Sequence, residues 1–212
     1  PGLATNLGKG LDILKYKQGM NCLWVVFLGG TGTGKSTLFN ALCGAPLSET
    51  GVERPKTCGP ILYAPKGRLV EKDFPLPGTE LCKEPCEGAG LKAATGAAGR
   101  LMILEHARSE LSHLVLADTP DLDSIEIDNR QIAEDLFLLS DAVIFVTSQE
   151  KYADEVPHQF LLRILQGQRP FFLLFNKAEG SATPGDFLST IKGEELPLAK
   201  DRVWLIPYAT AN

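Results

Sequence analysis

A three-layer α/β fold is predicted, with a mostly parallel sheet, helices on both faces and one antiparallel edge hairpin. Three observations carry this. The runs "CLWVVFL", "AVIFVTS" and "PFFLLFN" are short, continuously apolar and rich in valine or aromatics, as strands buried on both faces are. Stretches with a 3.6-residue apolar period separate such runs. Strand and helix in alternation give right-handed crossovers and parallel pairing. At 212 residues and 44% apolar content, the chain can bury one core of the larger sort, and a second large domain does not fit.

Taken in order, "TNLGKGLDILKYKQ" (5–18) forms an amphipathic helix weakened by Gly8 and Gly10. The expected organisation is a helical lead-in over 1–20 and one domain over 21–212. "CLWVVFL" is the first strand, and "KSTLFNAL" reads as a helix with Leu38, Phe39 and Leu42 on one face. The following "GAPLSETGVERPKTCGPILYAP" is a loop by its glycines and prolines, with "PILY" as a short strand. Residues 65–99, including "PLPG" and "GAGLKAATGAAG", are dense in Pro, Gly and Ala and read as an insertion with little core of its own. "RLMILEH" and "LSHLVLAD" read as two strands joined by a tight connection, the antiparallel hairpin. "DNRQIAEDLFLLSD" places Ile132, Leu136 and Leu139 on one helical face. After "AVIFVTS" come a helix across "DEVPHQFLLRILQ", the strand "PFFLLFN", a helix near "PGDFLSTI" and the strand "VWLIPY". Ligands of such sheets sit at the carboxyl ends of the strands, and every motif below lies at such an end.

The stretch "GGTGTGKST" (29–37) satisfies G-x-x-x-x-G-K-[ST] between a strand and a helix, the setting of a phosphate-binding loop. Its glycines reach positive φ and let backbone N–H groups point at phosphate oxygens, while the helix N-terminus favours an anion. Gly30, Thr31, Gly32, Thr33, Gly34, Lys35, Ser36 and Thr37 line this cradle. Lys35 reaches the β and γ phosphates and Ser36 offers its hydroxyl to Mg²⁺. "LVLADTPD" ends a strand with Asp118, from which a carboxylate holds Mg²⁺ through water.

"LFNKAEG" also ends a strand. Asn176 and Glu179 are placed as in the N-K-x-D motif of guanine-nucleotide binders, where the carboxylate takes guanine N1–H and the 2-amino group and asparagine touches N7. Adenine offers no such donor pair. With "GGTGTGKST", "RPKT", "DTPD" and "NKAE" in order, the chain from about Cys22 to its end resembles the dynamin-like and septin-like branch of the translation-factor-related GTPases, P-loop proteins of the same broad class as Ras. "RPKT" and "SDAVIFVTS" look more like bacterial dynamin-like or ribosome-associated GTPases than like Ras. The resemblance implies a Ras-like G domain. It makes Thr57 the switch I threonine that closes on Mg²⁺ and the γ-phosphate. It makes Lys177 a stack on the guanine ring, and "YATAN" the loop where Ala209 or Thr210 offers an N–H to guanine O6.

Three positions depart from that family. Asp121 replaces the glycine of D-x-x-G, so an N–H remains but a negative charge joins it. Leu122 replaces the glutamine that orients the attacking water in Ras-like proteins. Glu179 replaces aspartate, keeping the carboxylate with one more methylene. Slow hydrolysis is still expected from Lys35, Mg²⁺ and the loop N–H groups. Fast turnover needs a partner's arginine, a second copy of the domain across the nucleotide, or a monovalent cation. Gly32, standing where potassium-dependent members carry asparagine, counts against the cation. Arg54, beside the switch, is placed to stabilise charge in cis.

The expected function is therefore a nucleotide switch that binds GTP and hydrolyses it slowly to GDP and phosphate, stimulated by a partner or by dimerisation. The alternatives are a GTP-dependent binding module with little hydrolysis, and an ATP-using ATPase or kinase, which would make "NKAE" accidental. Composition narrows the partners. Net charge is −5 with no lysine or arginine cluster, so direct nucleic-acid binding is not expected. The longest apolar run is too short for a bilayer and the N-terminus lacks a signal-peptide layout, so a cytoplasmic segment is expected, any membrane contact falling to regions outside it. The start at Pro1 suggests a piece of something longer. Five cysteines, an odd number, make reduced thiols the default. Cys58, Cys82 and Cys86 have no histidine near them and make only a weak metal signature. The 65–99 insertion, lying between the two switches, is expected to be a contact surface.

Overall fold

A computed structural model describes residues 2–50, 59–76, 78–86, 100–151, 154–167, 169–178, 183, 185 and 201–208. The chain opens with α1 (Gly2–Gln18), β1 (Leu23–Gly29) and α2 (Lys35–Cys43). Then come β2 (Ile61–Pro65), β3 (Glu80–Pro85), β4 (Arg100–His106) and β5 (Leu114–Asp118). It closes with α3 (Ile127–Leu139), β6 (Ala142–Ser148), α4 (Glu155–Gln166), β7 (Phe171–Ala178) and β8 (Val203–Pro207). The strands form one eight-stranded sheet in the order β3-β4-β2-β5-β1-β6-β7-β8. The β2–β5 ladder is antiparallel and the other six ladders are parallel.

Alternation along β1 builds the two core layers. Trp24, Val26 and Leu28 face one layer, packed with Ile13 and Tyr16 of α1, Leu136 and Leu139 of α3, and Phe160, Leu161 and Ile164 of α4. Phe27 faces the other, against Phe39 and Cys43 of α2, its ring 5.6 Å from that of Phe39 and edge-on to it. Helices thus cover both faces, and β1 sits mid-sheet with the loop after it opening over the carboxyl ends of its neighbours.

Three local expectations are corrected. The antiparallel pair is not a β4–β5 hairpin at an edge, because β2 lies between those strands. All five residues of β2 are buried, so its backbone needs a ladder on each side. The β4–β5 connection, residues 107–113 with a 3₁₀ turn at Ser109–Leu111, is long enough to pass around it. In α2 the buried row is Lys35, Phe39 and Cys43, while Leu42 is exposed. The start of the helix at Gly34 sets a phase that turns the i, i+4, i+8 row to the sheet. Finally, the segment after β2 is not without core. Val70 and Leu76 are buried, and Phe74 packs near Tyr16 and Trp24. β3 adds a parallel edge strand with a largely exposed, charged surface, the composition that protects a sheet edge from further pairing. The stretches 51–58, 87–99 and 186–200, and with them most of the helix expected near "PGDFLSTI", lie outside the described residues.

Candidate functional site

Three strand ends meet at the loop after β1. The loop is closely hemmed, which is why small residues occupy it. A Cβ on Gly29 would stand 2.3 Å from the Val146 carbonyl oxygen, and one on Gly34 would stand 2.2 Å from Asn176 Nδ2. Gly32 and Gly34 adopt φ of 77° and 88°, the left-handed region that other residues seldom enter. Thr33 is buried and its hydroxyl donates to the Gly30 carbonyl at 2.9 Å, closing the turn from within.

Lys35, in the first turn of α2, is almost sealed from solvent, and its Nζ donates to Asp118 Oδ1 at 3.0 Å and to the Thr119 carbonyl. Asp121 Oδ1 lies 3.7 Å from the same nitrogen. Burial alone would push the Lys35 ammonium down, but Asp118 and Asp121 more than offset it and hold it above the ordinary lysine value. Ser36 Oγ donates to Asp118 Oδ2 at 2.7 Å. Thr119 donates its hydroxyl to the Phe27 carbonyl at 2.8 Å, pinning β5's exit to β1.

The opposite wall comes from β7. Asn176 Nδ2 donates to the Thr33 carbonyl and Lys177 Nζ to the Gly32 carbonyl, each at 2.9 Å. Lys177 sits at φ 57°, so the chain turns sharply there. The "NK" pair therefore braces the loop's backbone as well as standing beside it. The structure thus brings together Gly30, Thr31, Gly32, Thr33, Gly34, Lys35, Ser36, Asp118, Asp121, Asn176 and Lys177, with Thr37 in the same first turn of α2. Arg54, Thr57, Cys58, Glu179, Ala209 and Thr210 lie outside the described residues.

Two features were not foreseen. Asp123 Oδ1 accepts from Thr31 twice, from the backbone N–H at 2.8 Å and from the hydroxyl at 2.7 Å, tying the segment after β5 to the loop. Pro157 of α4 limits the other side, since a Cβ on Gly30 would stand 2.9 Å from its Cγ. Only the acidic character of "DTPDLD" hinted at the first, and nothing in sequence signalled the second. Leu122, considered from sequence as a failed water-orienting residue, is 3% exposed and packed in the core layer that holds Leu28.

Ser36 and Asp118 are adjacent hydroxyl and carboxylate groups, the hard oxygen donors that Mg²⁺ takes while keeping waters and substrate phosphates in its other positions. This donor set fits the ion. Among the described residues there is no cluster of three or more His, Cys, Asp or Glu placed to hold a metal by themselves. Cys22, Cys43, Cys82 and Cys86 form no disulfide with one another. No helix among the described residues is long and apolar enough to cross a membrane.

Comparisons with known proteins bear on the family and on the fold. A family profile described as 50S ribosome-binding GTPase matches residues 24–177. An uncharacterized protein in the xynA 3' region of Caldicellulosiruptor sp. (strain Rt8B.4) is 29% identical over 174 residues, covering 78% of this chain and 42% of that protein. Two solved chains of an oligomerised bacterial dynamin pair, described as providing a mechanism for long-range sensing and tethering of membranes, superpose with TM-scores of 0.56 and 0.54. Their identities are 16% and 15%, and the match covers 97% of this chain and 42% and 41% of theirs. The likeness is one of fold, and the chain spans about two fifths of the length of these relatives.

Proposed function

The chain belongs to the family of 50S ribosome-binding GTPases, and from that premise we propose that it binds GTP with Mg²⁺ and hydrolyses it slowly to GDP and phosphate. The observation that carries the proposal is the convergence on one loop of Lys35, Asp118 and the Asn176–Lys177 pair, from three strand ends far apart in sequence. An anion cradle beside a base-reading motif has no other evident use.

In this reading the loop N–H groups and Lys35 hold the phosphate chain, and Ser36 and Asp118 hold Mg²⁺ with Thr57. Asn176, Lys177 and Glu179 read the guanine, with Ala209 or Thr210 offering an N–H to O6. The ion supplies neutralisation of phosphate charge when bound. Lys35 reaches the nucleotide by exchanging its carboxylate partners for phosphate oxygens, so the buried ammonium keeps a partner throughout. Residues 1–20 form the lead-in and 21–212 the nucleotide-binding domain, with 65–99 as a contact surface between the switches. Stimulation comes from a protein partner or from a second copy across the nucleotide, and the segment works in the cytoplasm.

Calorimetric titration with GDP, GTP and ATP in Mg²⁺ tests the proposal, with Lys35→Ala as control. Guanine-selective binding that the variant loses by at least about tenfold is expected, since a charge-assisted contact to phosphate disappears. Equal affinity for ATP would sink the guanine assignment.

The inward packing of Leu122 favours a second reading, a GTP-dependent binding module with little hydrolysis. Multiple-turnover phosphate release separates the two. A dimer-stimulated GTPase releases phosphate faster than linearly with protein concentration, whereas a module stays near the uncatalysed rate at every concentration.

A further inference from the structure

The phosphate-binding end of the site is unusually acidic. Lys35, its side chain 2% exposed, lies between the carboxylates of Asp118 at 3.0 Å and Asp121 at 3.7 Å. Asp118 is wholly buried and also engages Ser36. Asp121 differs, because its side chain is 33% exposed while it pairs with Lys35 at 3.7 Å. A third carboxylate, Asp123, sits on Thr31 of the same loop. Burial, together with the neighbouring charges of Asp123 and Asp118, raises the Asp121 carboxyl above the ordinary aspartate value, with Lys35 opposing. Asp121 does not adopt a positive φ, so a side chain costs no backbone strain at this position.

The γ-phosphate of a triphosphate meets this lysine, and it brings further negative charge toward a carboxylate already there. We propose that Asp121 is a specificity-determining residue that competes with the terminal phosphate for Lys35, so that the site holds a guanine nucleoside diphosphate in preference to the triphosphate. The inference rests on the guanine-nucleotide reading above and adds a direction to it: the diphosphate state is the resting one, and whatever draws Asp121 aside favours the triphosphate. Like charges at such range in a partly desolvated site repel, and a diphosphate avoids most of this.

The test compares wild type with Asp121→Asn, which keeps the shape and removes the charge, and Asp121→Gly, which removes the side chain. Dissociation constants for GDP and for a non-hydrolysable GTP analogue are measured by calorimetry in excess Mg²⁺. In both variants the analogue should gain on GDP by on the order of tenfold relative to wild type. An unchanged ratio overturns the inference, and so does a ratio that moves toward GDP, as it would if Asp121 helped to hold the cation of a bound triphosphate. Wild-type protein that binds neither nucleotide removes the underlying reading as well, whereas GDP binding with an unaltered ratio removes the inference alone. Two variants guard against a folding defect in either, which far-UV circular dichroism would reveal.

Discussion

Leu122, where the sequence resemblance implies the water-orienting glutamine of Ras-like proteins, turns inward and is buried in the core layer that holds Leu28. A glutamine at this position would therefore bury an amide among apolar side chains. Leu122→Gln is expected to lower stability by about 2–4 kcal/mol without accelerating phosphate release, because the side chain at this position is buried in the core layer. Denaturant unfolding alongside a turnover assay checks both halves, and a faster, equally stable variant would refute the orientation. His106 gives a second prediction at this scale. It is buried on β4, stacks on Tyr63 with centroids 4.1 Å apart, and accepts the Arg108 backbone N–H on Nδ1 at 3.2 Å. Burial, and then the charge of Arg108, hold its pKa below the ordinary histidine value. The unfolded chain takes up that proton first as pH falls. The stability His106 contributes is thus present above the ordinary value near ~6.5 and is lost as pH drops through it toward the depressed folded value. Between about pH 7.5 and about pH 5.5 the thermal midpoint of wild type should fall further than that of His106→Gln, and parallel curves would discount the histidine.

At the scale of elements, the turn from β1 into α2 depends on contact with β7. Gly34 caps α2 at φ 88°, with Asn176 Nδ2 occupying the space a Cβ would need. Gly34→Ala must both strain the backbone and displace Asn176 from the Thr33 carbonyl. A loss of roughly 1–3 kcal/mol in stability is expected from the strain, with weaker guanine-nucleotide binding beside it. A variant with native stability and native GDP affinity would show that the loop has slack the structure does not have. The same contact explains how the end of β7 and the loop after β1 are set in one register. Asn176 and Lys177 hold carbonyls of the loop, so a shift in β7 moves the cradle too.

Across the whole molecule, α1 is part of the core. Tyr16 donates its hydroxyl to the Val70 carbonyl at 2.6 Å, Lys9 pairs with Asp135 of α3, and Lys17 holds Asp141 and the Leu139 carbonyl at the end of α3. The rings of Tyr16, Trp24 and Phe74 pack together within 6.4 Å between centroids, joining α1 and β1 to the segment after β2. Removing residues 1–18 should uncover Trp24, which is fully buried, while Trp204, already 58% exposed, changes little. Red-shifted tryptophan emission and a lower unfolding midpoint are expected. Unchanged emission would mean that α1 does not shield Trp24. The milder Tyr16→Phe should cost about 1 kcal/mol for the lost hydrogen bond.

The sequence by itself determined the alternation of strands and helices, the phosphate loop, the strand-end aspartate and the "NK" pair. These are written in contiguous residues whose chemistry needs that spacing, so local pattern suffices to read them. Tertiary structure alone decided where β2 lies, which residue of α2 faces solvent, and how residues 66–76 join the core. It also decided that Leu122 turns inward while Asp121 turns to Lys35. Strand order and the direction of a side chain beyond a strand end depend on partners tens of residues away, and no window of sequence contains both members of such a pair.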